Sequence, residues 1–419
     1  MKLTSFPIFL LHILSLSLCS LASTLSLRDT HITRLNSTLY LSSTPWKAVG
    51  PNIYWLGLDE NVIPPVTSPP APFYAPLNAS YPTHARITEI MAISAALGST
   101  FIRSHTLGIS YGNPLSLYPA AGNTLNPAAF DPIDWAIFQA REHGLRLMIP
   151  MVDNFDYYHG GKYTWLRWSG YNLSRATSER DPQVQEFYNV NGKVWPEFQK
   201  YIKTWLTHVN PYTNLTYAED PTIFAIETGN ELCGPIWGDM DVPADWVREF
   251  GRYVKSLAPQ KLFVDGTYGV NQTHLSIEEV DIFSNHYYPV SVAKLRKDLN
   301  LVAQVDKPYF AGEYSWLGNA ATPDANLPAW FRELESSPSV IGDAFWSLFG
   351  RNAPDCNAFV EHNDGLTMQY GNPAHAAQIQ LVRQHFLKMS QGLSIPANDA
   401  LPSVPCPTPT SNVEREKLL

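Results

Sequence analysis

Two glutamates in this chain each follow an apolar run. Glu231 closes Phe224-Ala225-Ile226-Glu227-Thr228-Gly229-Asn230-Glu231, and Glu313 closes Pro308-Tyr309-Phe310-Ala311-Gly312-Glu313. An apolar run that stops at a carboxylate reads as a buried strand with an acid at its mouth. If both strands belong to one barrel of parallel strands, the two acids converge on the face formed by the C-terminal strand ends, where that architecture does its catalysis. A convergent pair of carboxylates can cleave the acetal between two sugars: one protonates the leaving oxygen, and the other attacks the anomeric carbon or activates a water. Taken singly, each glutamate could as well cap its strand or pair with an arginine.

The surrounding residues favour the first alternative. Arg103 ends the run Phe101-Ile102-Arg103, where a cation would hold a neighbouring carboxylate ionised, although an ordinary salt bridge would look the same in sequence. His286-Tyr287-Tyr288 offers donors at the end of another apolar run, and Trp346 ends Ala344-Phe345-Trp346, where an indole can stack on the apolar face of a sugar. The segment from Asp156 to Trp168 is dense in aromatic residues. It predicts a sugar contact for Trp165 or Trp168, the alternative being a small satellite core under the loop. Gly108-Ile109-Ser110-Tyr111-Gly112 fits the Gly-x-Ser-x-Gly elbow of esterases, but that elbow needs a helix immediately after it, and Asn113-Pro114 follows instead. It is read as a chance match. No His-Glu-x-x-His helix occurs and the cysteine spacing fits no zinc pattern, so neither a metal nor another cofactor is expected.

These residues must be held by a regular frame. Apolar runs recur at Ile53–Gly57, Thr100–Arg103, Leu145–Val152, Thr222–Glu227, Leu262–Asp265, Ile282–Asn285, Pro308–Gly312 and Val340–Trp346, mostly as unbroken stretches of the kind found in strands covered on both faces. Between them lie amphipathic segments with helix punctuation: Thr83 to Leu97 stopping at Gly98, Asp131-Pro132 to His143 stopping at Gly144, and Pro243 to Leu257. Alternating strands and helices imply parallel βαβ units, and eight strands imply a (β/α)8 TIM barrel. An open doubly wound sheet would carry a glycine-rich phosphate loop after its first strand, where this chain has Leu58-Asp59-Glu60. Ile32–Thr44 reads as a short hairpin that could plug the barrel's bottom, and residues 391–419, rich in Pro and Ser, read as a tail without packed structure.

The chain resembles glycoside hydrolase family 5, a clan A family, and within it the fungal and plant endo-β-1,4-mannanases. The resemblance rests on Asn52-Ile53-Tyr54-Trp55-Leu56, on Asp220 to Leu232 without a gap, on His286-Tyr287-Tyr288-Pro289, on Lys307-Pro308 followed by Glu313, and on Trp346. It implies Glu231 as general acid/base, Glu313 as nucleophile, Asn230 on the sugar's 2-hydroxyl, Tyr288 and Arg103 orienting the nucleophile, His286 as a supporting donor and Trp346 as platform. Mechanism would then be retaining. The chain departs from the family pattern at Leu232, at Ile226 and at Ser104-His105-Thr106; His105 would line the glycone subsite. The departures leave open another β-linked hexose or an exo mode of attack, as in exo-β-mannosidases or β-glucanases. A non-catalytic carbohydrate-binding barrel is the alternative from another class.

Composition sets the surroundings. A net charge of -9 without a basic cluster gives no footprint for nucleic acid or an anionic membrane, and a neutral β-linked polysaccharide or oligosaccharide is the expected partner of a monomer. Residues 1–22, with an apolar run from Phe6 to Leu18 and then small residues, read as a secretory signal, leaving 23–390 as the catalytic domain of an extracellular protein. Sequons at Asn36, Asn78, Asn172, Asn214 and Asn271 then predict exposed, glycosylated positions. With Cys19 in the signal, Cys233, Cys356 and Cys406 remain, most simply as one bridge and one thiol.

Overall fold

A computed structural model describes residues 29–61, 79–122, 124–173, 177–236, 238, 240–318 and 325–407; the expected signal segment, Asn78 and the last twelve residues lie outside this range. Strands β1 (Ile32–Leu35), β2 (Thr38–Leu41) and β3 (Thr44–Trp46) form an antiparallel sheet. Eight further strands follow: β4 (Ala48–Pro51), β5 (Phe101–Arg103), β6 (Arg146–Pro150), β7 (Ile223–Glu227), β8 (Leu262–Asp265), β9 (Ile282–Tyr287), β10 (Tyr309–Ser315) and β11 (Val340–Trp346). They run in the order β4-β11-β10-β9-β8-β7-β6-β5 and every pair is parallel. The ends of this sheet meet where Thr100 N donates to Val49 O at 2.9 Å and Asn52 bridges Arg103. This is the (β/α)8 barrel that the alternating pattern predicts.

The helices begin and stop where their punctuation places them. In α1 (His84–Ala96) the Thr83 side chain accepts from Arg86 N, and Gly98 takes the positive φ of 81° that ends the helix. Helix α2 (Phe130–Glu142) stops before Gly144, and a later barrel helix, Ala244–Leu257, starts behind Pro243. The plug is also real. Ile32 and Leu39 are buried among Phe101, Phe224 and Phe310, inward-facing residues of the barrel, and Trp46 meets Phe224 edge-on with centroids 5.2 Å apart.

Three expectations need correction. The first barrel strand is Ala48–Pro51 rather than Ile53–Gly57: the chain leaves the sheet at Asn52, and the apolar run after it is buried as an irregular segment because its side chains fill space beyond the strand end. Residues 392–407 are strapped to the barrel. The Cys356–Cys406 disulfide holds them, and their carbonyls at Ile395, Pro396, Pro402 and Val404 accept from Gln384, Gln380, Tyr370 and Arg351. Of the sequon asparagines, Asn36, Asn172 and Asn214 are exposed, but Asn271 is buried because its carboxamide oxygen caps the turn at Thr273. One bridge and one thiol result, as the cysteine count predicts, and the structure shows that Cys233 is the one outside the disulfide, a choice the sequence left open.

Candidate active site

Every side chain that forms the site comes from the C-terminal ends of the barrel strands or the loops just beyond them. Arg103, at the end of β5, is fully buried and acts as a hub. Its Nη1 donates to Glu313 Oε1 at 2.8 Å and to Asn52 Oδ1 at 3.0 Å, its Nε to Glu227 Oε2 at 2.7 Å and its Nη2 to Asn230 Oδ1 at 3.0 Å. A guanidinium offers donors in a fixed fork, so one arginine sets the orientation of four side chains at once. Its two carboxylate neighbours hold its charge more firmly still.

Glu313 sits in β10 at an irregularity where the register with β9 shifts between Ala311 and Glu313, which turns the carboxylate into the barrel mouth. Gly312 permits this: a Cβ there would lie 2.8 Å from His286 Nε2 and 2.5 Å from Ser284 Oγ. Beyond Arg103, Glu313 accepts from Tyr288 Oη at 2.8 Å, with His286 Nδ1 at 3.6 Å and His105 Nε2 at 3.7 Å. Burial pushes its carboxyl upward, and the charge of Arg103 and the hydrogen bond from Tyr288 oppose that shift. The arginine alone therefore does not fix its ionisation; burial outweighs it.

Glu231 lies four residues past the end of β7 with φ at 52°, in the left-handed region that non-glycine residues seldom occupy. Its Oε1 is 2.8 Å from His286 Nδ1. Burial, reinforced by the negative charge of Asp153, pushes its carboxyl up to about 8. Burial holds His286 far on the neutral side, down to about 3, so the ring is a neutral hydrogen-bond partner. One ligand atom from each of Glu231, His286 and Glu313 lies within 4.8 Å of the others. Among the described residues this is the single group spaced like metal ligands, and a cation there would compete with the proton on Glu231 and with Arg103 for Glu313.

The two acids face a cavity of about 430 Å³, within the usual range for a small-molecule site. Trp346 lines it with one ring face stacked on Tyr54, centroids 5.2 Å apart, and its Nε1 donates to Asp364 Oδ2 at 2.7 Å. His105 lines the same wall, buried, with Nδ1 lacking a partner among the described residues.

Glu231, Glu313, Arg103, Asn230, His286, Tyr288, Trp346 and His105 are thus brought together. The tryptophans of the aromatic loop are not. Trp165 is 2% exposed and packs against Tyr111, Phe198 and Tyr201, while Trp168 packs on Trp165; neither lines the cavity. The satellite core accounts for them, and the loop serves the site through Phe155, Tyr157, Tyr158 and His159. Ser110 is buried, accepts from Leu117 N and precedes no helix, so it forms no nucleophile elbow.

Four residues of the site have no role of their own in the sequence reading. Asn52 and Glu227 hold Arg103, and Tyr54 supports Trp346. Asp153 pairs with His159 at 3.0 Å and accepts from Asn230 Nδ2 at 3.3 Å. Asp153 carried a usable signal, because it ends the apolar run Leu145–Val152 in the manner of Glu231 and Glu313.

Residues 109–291 match the family described as GH family 5 beta-mannosidase-like. Mannan endo-1,4-beta-mannosidase 2 of Oryza sativa subsp. japonica is 28% identical over 263 residues, 62% of this chain and 52% of the relative. The chain spans about half the length of the curated relatives it matches first. In structure, the endo-1,4-beta-mannanase from Rhizomucor miehei superposes with a TM-score of 0.67 at 20% identity, over 86% of this chain and 99% of that one. A glycoside hydrolase family 5 mannosidase from the same organism gives 0.62 at 15% identity, over 87% and 98%. At these identities the structural likeness establishes the fold. The resemblance to family 5 and its mannanases that the motifs carry is borne out.

Proposed function

We propose that this chain is a retaining β-glycoside hydrolase that cleaves β-1,4-linked mannan or a related polysaccharide by double displacement. The observation that carries the reading is the spacing of the acids. Oxygens of Glu231 and Glu313 lie within 4.8 Å of each other. Direct attack brings the carboxyl groups to about 5–5.5 Å, whereas an inverting enzyme needs about 6.5–9.5 Å to seat a water between them.

In the first step Glu231, protonated at neutral pH because of its raised pKa, gives its proton to the glycosidic oxygen while Glu313 attacks the anomeric carbon. Arg103 and Tyr288 donate to the two oxygens of Glu313 and fix its line of attack. In the second step the ionised Glu231 takes a proton from water, whose oxygen displaces Glu313 from the sugar. Asn230, with its oxygen committed to Arg103, offers its amide to the sugar's 2-hydroxyl, and His105 and Trp346 bound the ring. All of these groups belong to one chain, which supports a monomer as the acting unit. Secretion is part of the proposal, supported by the apolar N-terminal run and by a disulfide of the kind that persists in oxidising compartments.

The test is product analysis on mannan, glucomannan, cellulose and β-1,3-glucan side by side, with the anomeric configuration of the first product followed by NMR. The reading expects mannan-type substrates to be preferred and the β anomer to form first. Inverted product, or preference for cellulose or β-1,3-glucan, overturns the corresponding half; release of monosaccharide alone assigns an exo mode.

A further inference from the structure

The segment that carries Glu231 runs past the end of β7, bridged through its backbone at Asn230 to Asp153 and at Leu232 to Thr267, and side chains hold the turn between and beyond these bridges. Glu231 and Cys233 both have positive φ, 52° and 57°, a backbone region that such residues keep only where their surroundings enforce it. The side chain that holds the turn after Glu231 is Asn154, just beyond β6. Its Oδ1 accepts from Cys233 N at 3.2 Å, its Nδ2 donates to Gly234 O at 2.9 Å, and its own N donates to Asn230 O at 3.0 Å. A carboxamide rotated by half a turn would lose both side-chain bonds.

What prevents that rotation is Lys162. Its Nζ donates to Asn154 Oδ1 at 2.6 Å, and an ammonium can only donate, so the amide oxygen must face it. Lys162 is fully buried, and so is Glu179, with which it forms an ion pair. Burial pushes the Lys162 ammonium down to about 7, and the carboxylate of Glu179 in contact with it favours the charged form. Neither residue lines the cavity.

We infer that Lys162, with Glu179 as its counter-ion, is a positioning residue for Glu231, acting through Asn154 on the backbone from Asn230 to Gly234. This rests on Glu231 being the proton donor.

The variant Lys162→Met with Glu179→Leu removes the ion pair as a unit, so that no unpaired charge is left buried. Asn154→Ala removes the clamp and keeps the ion pair. Both are compared by kcat/KM on an oligosaccharide and on the dinitrophenyl glycoside of the same sugar, with thermal melts to show folding and Glu231→Ala alongside. An activated leaving group departs without protonation, so the oligosaccharide rate should fall by about tenfold or more while the dinitrophenyl rate stays within about threefold. Equal losses on the two substrates, or no loss on either, overturn the inference. Equal losses in Glu231→Ala itself overturn instead the assignment of the proton donor, and the inference with it.

Discussion

The two acids share one cavity but are held by different means. Glu313 is part of a barrel strand, and its oxygens are fixed by Arg103 and Tyr288, groups that favour the negative charge. Glu231 lies beyond its strand, in left-handed backbone, with a neutral histidine as direct partner and Asp153 opposing its ionisation. The environment that suits a nucleophile is rigid and donor-rich; the one that suits a proton donor is buried and poor in positive charge. One fold therefore separates two chemically identical groups by what surrounds them.

The largest break in this comparison is Glu313→Ala. Glu313 is the group placed opposite Glu231 to form the glycosyl-enzyme, so turnover should fall on the order of 10⁴-fold or more. Added azide should restore cleavage in part, with inverted product; wild-type rates in the variant would remove Glu313 from the mechanism. Glu231→Ala should lose polysaccharide hydrolysis by roughly 10²–10⁴-fold, the usual share of general acid catalysis, while single-turnover cleavage of a dinitrophenyl glycoside persists and the intermediate accumulates. Equal losses on both substrates in a folded variant would make Glu231 structural.

The contrast also shows in pH. Glu231 must start protonated, so kcat/KM should decline as pH rises through about 8, where its proton leaves, and be retained just below. A profile flat to pH 10 would contradict the burial argument. Tyr288→Phe sharpens the Glu313 side. A hydrogen bond to a charged group contributes about 1.5–3 kcal/mol, so its loss should cost on the order of tenfold to a hundredfold in kcat on all substrates alike. The smallest effect belongs to Trp165→Phe: it should lower the melting temperature through lost core packing and leave KM for polysaccharide unchanged. A rise in KM would return Trp165 to the cleft.

The legible parts of the sequence were those in which an apolar strand ends abruptly in chemistry. Glu313, Arg103 and Trp346 close such runs and Glu231 follows one by four residues, and the barrel brings strand ends together whatever their sequence distance. Asn52 and Glu227 were obscure because their task is to hold Arg103 from neighbouring strand ends, a contact that no sequence spacing encodes. The first strand was displaced because apolarity reports burial, and Ile53–Leu58 is buried without being in the sheet. Aromatic density misled for the same reason. Trp165 is aromatic in order to fill a core beside Phe198, and the cleft takes its aromatic surface from Tyr54, Tyr157 and Trp346.

The C-terminal strap limits where this chain can be cut. Cys406 reaches back to Cys356 across a separation of 50 residues, and Arg351 on the same loop donates to Val404 O. That loop goes on to His362, whose Nδ1 lies 2.6 Å from Tyr54 Oη, and to Asp364, which holds the Trp346 indole. A cut that trims the Pro-rich end before Val404 releases both tethers of the loop that braces the sugar platform. It also forfeits the disulfide, worth about 4 kcal/mol for a closed loop of this length. A truncated protein would keep its two acids and their hub, and the damage would show first in how firmly the sugar sits on Trp346.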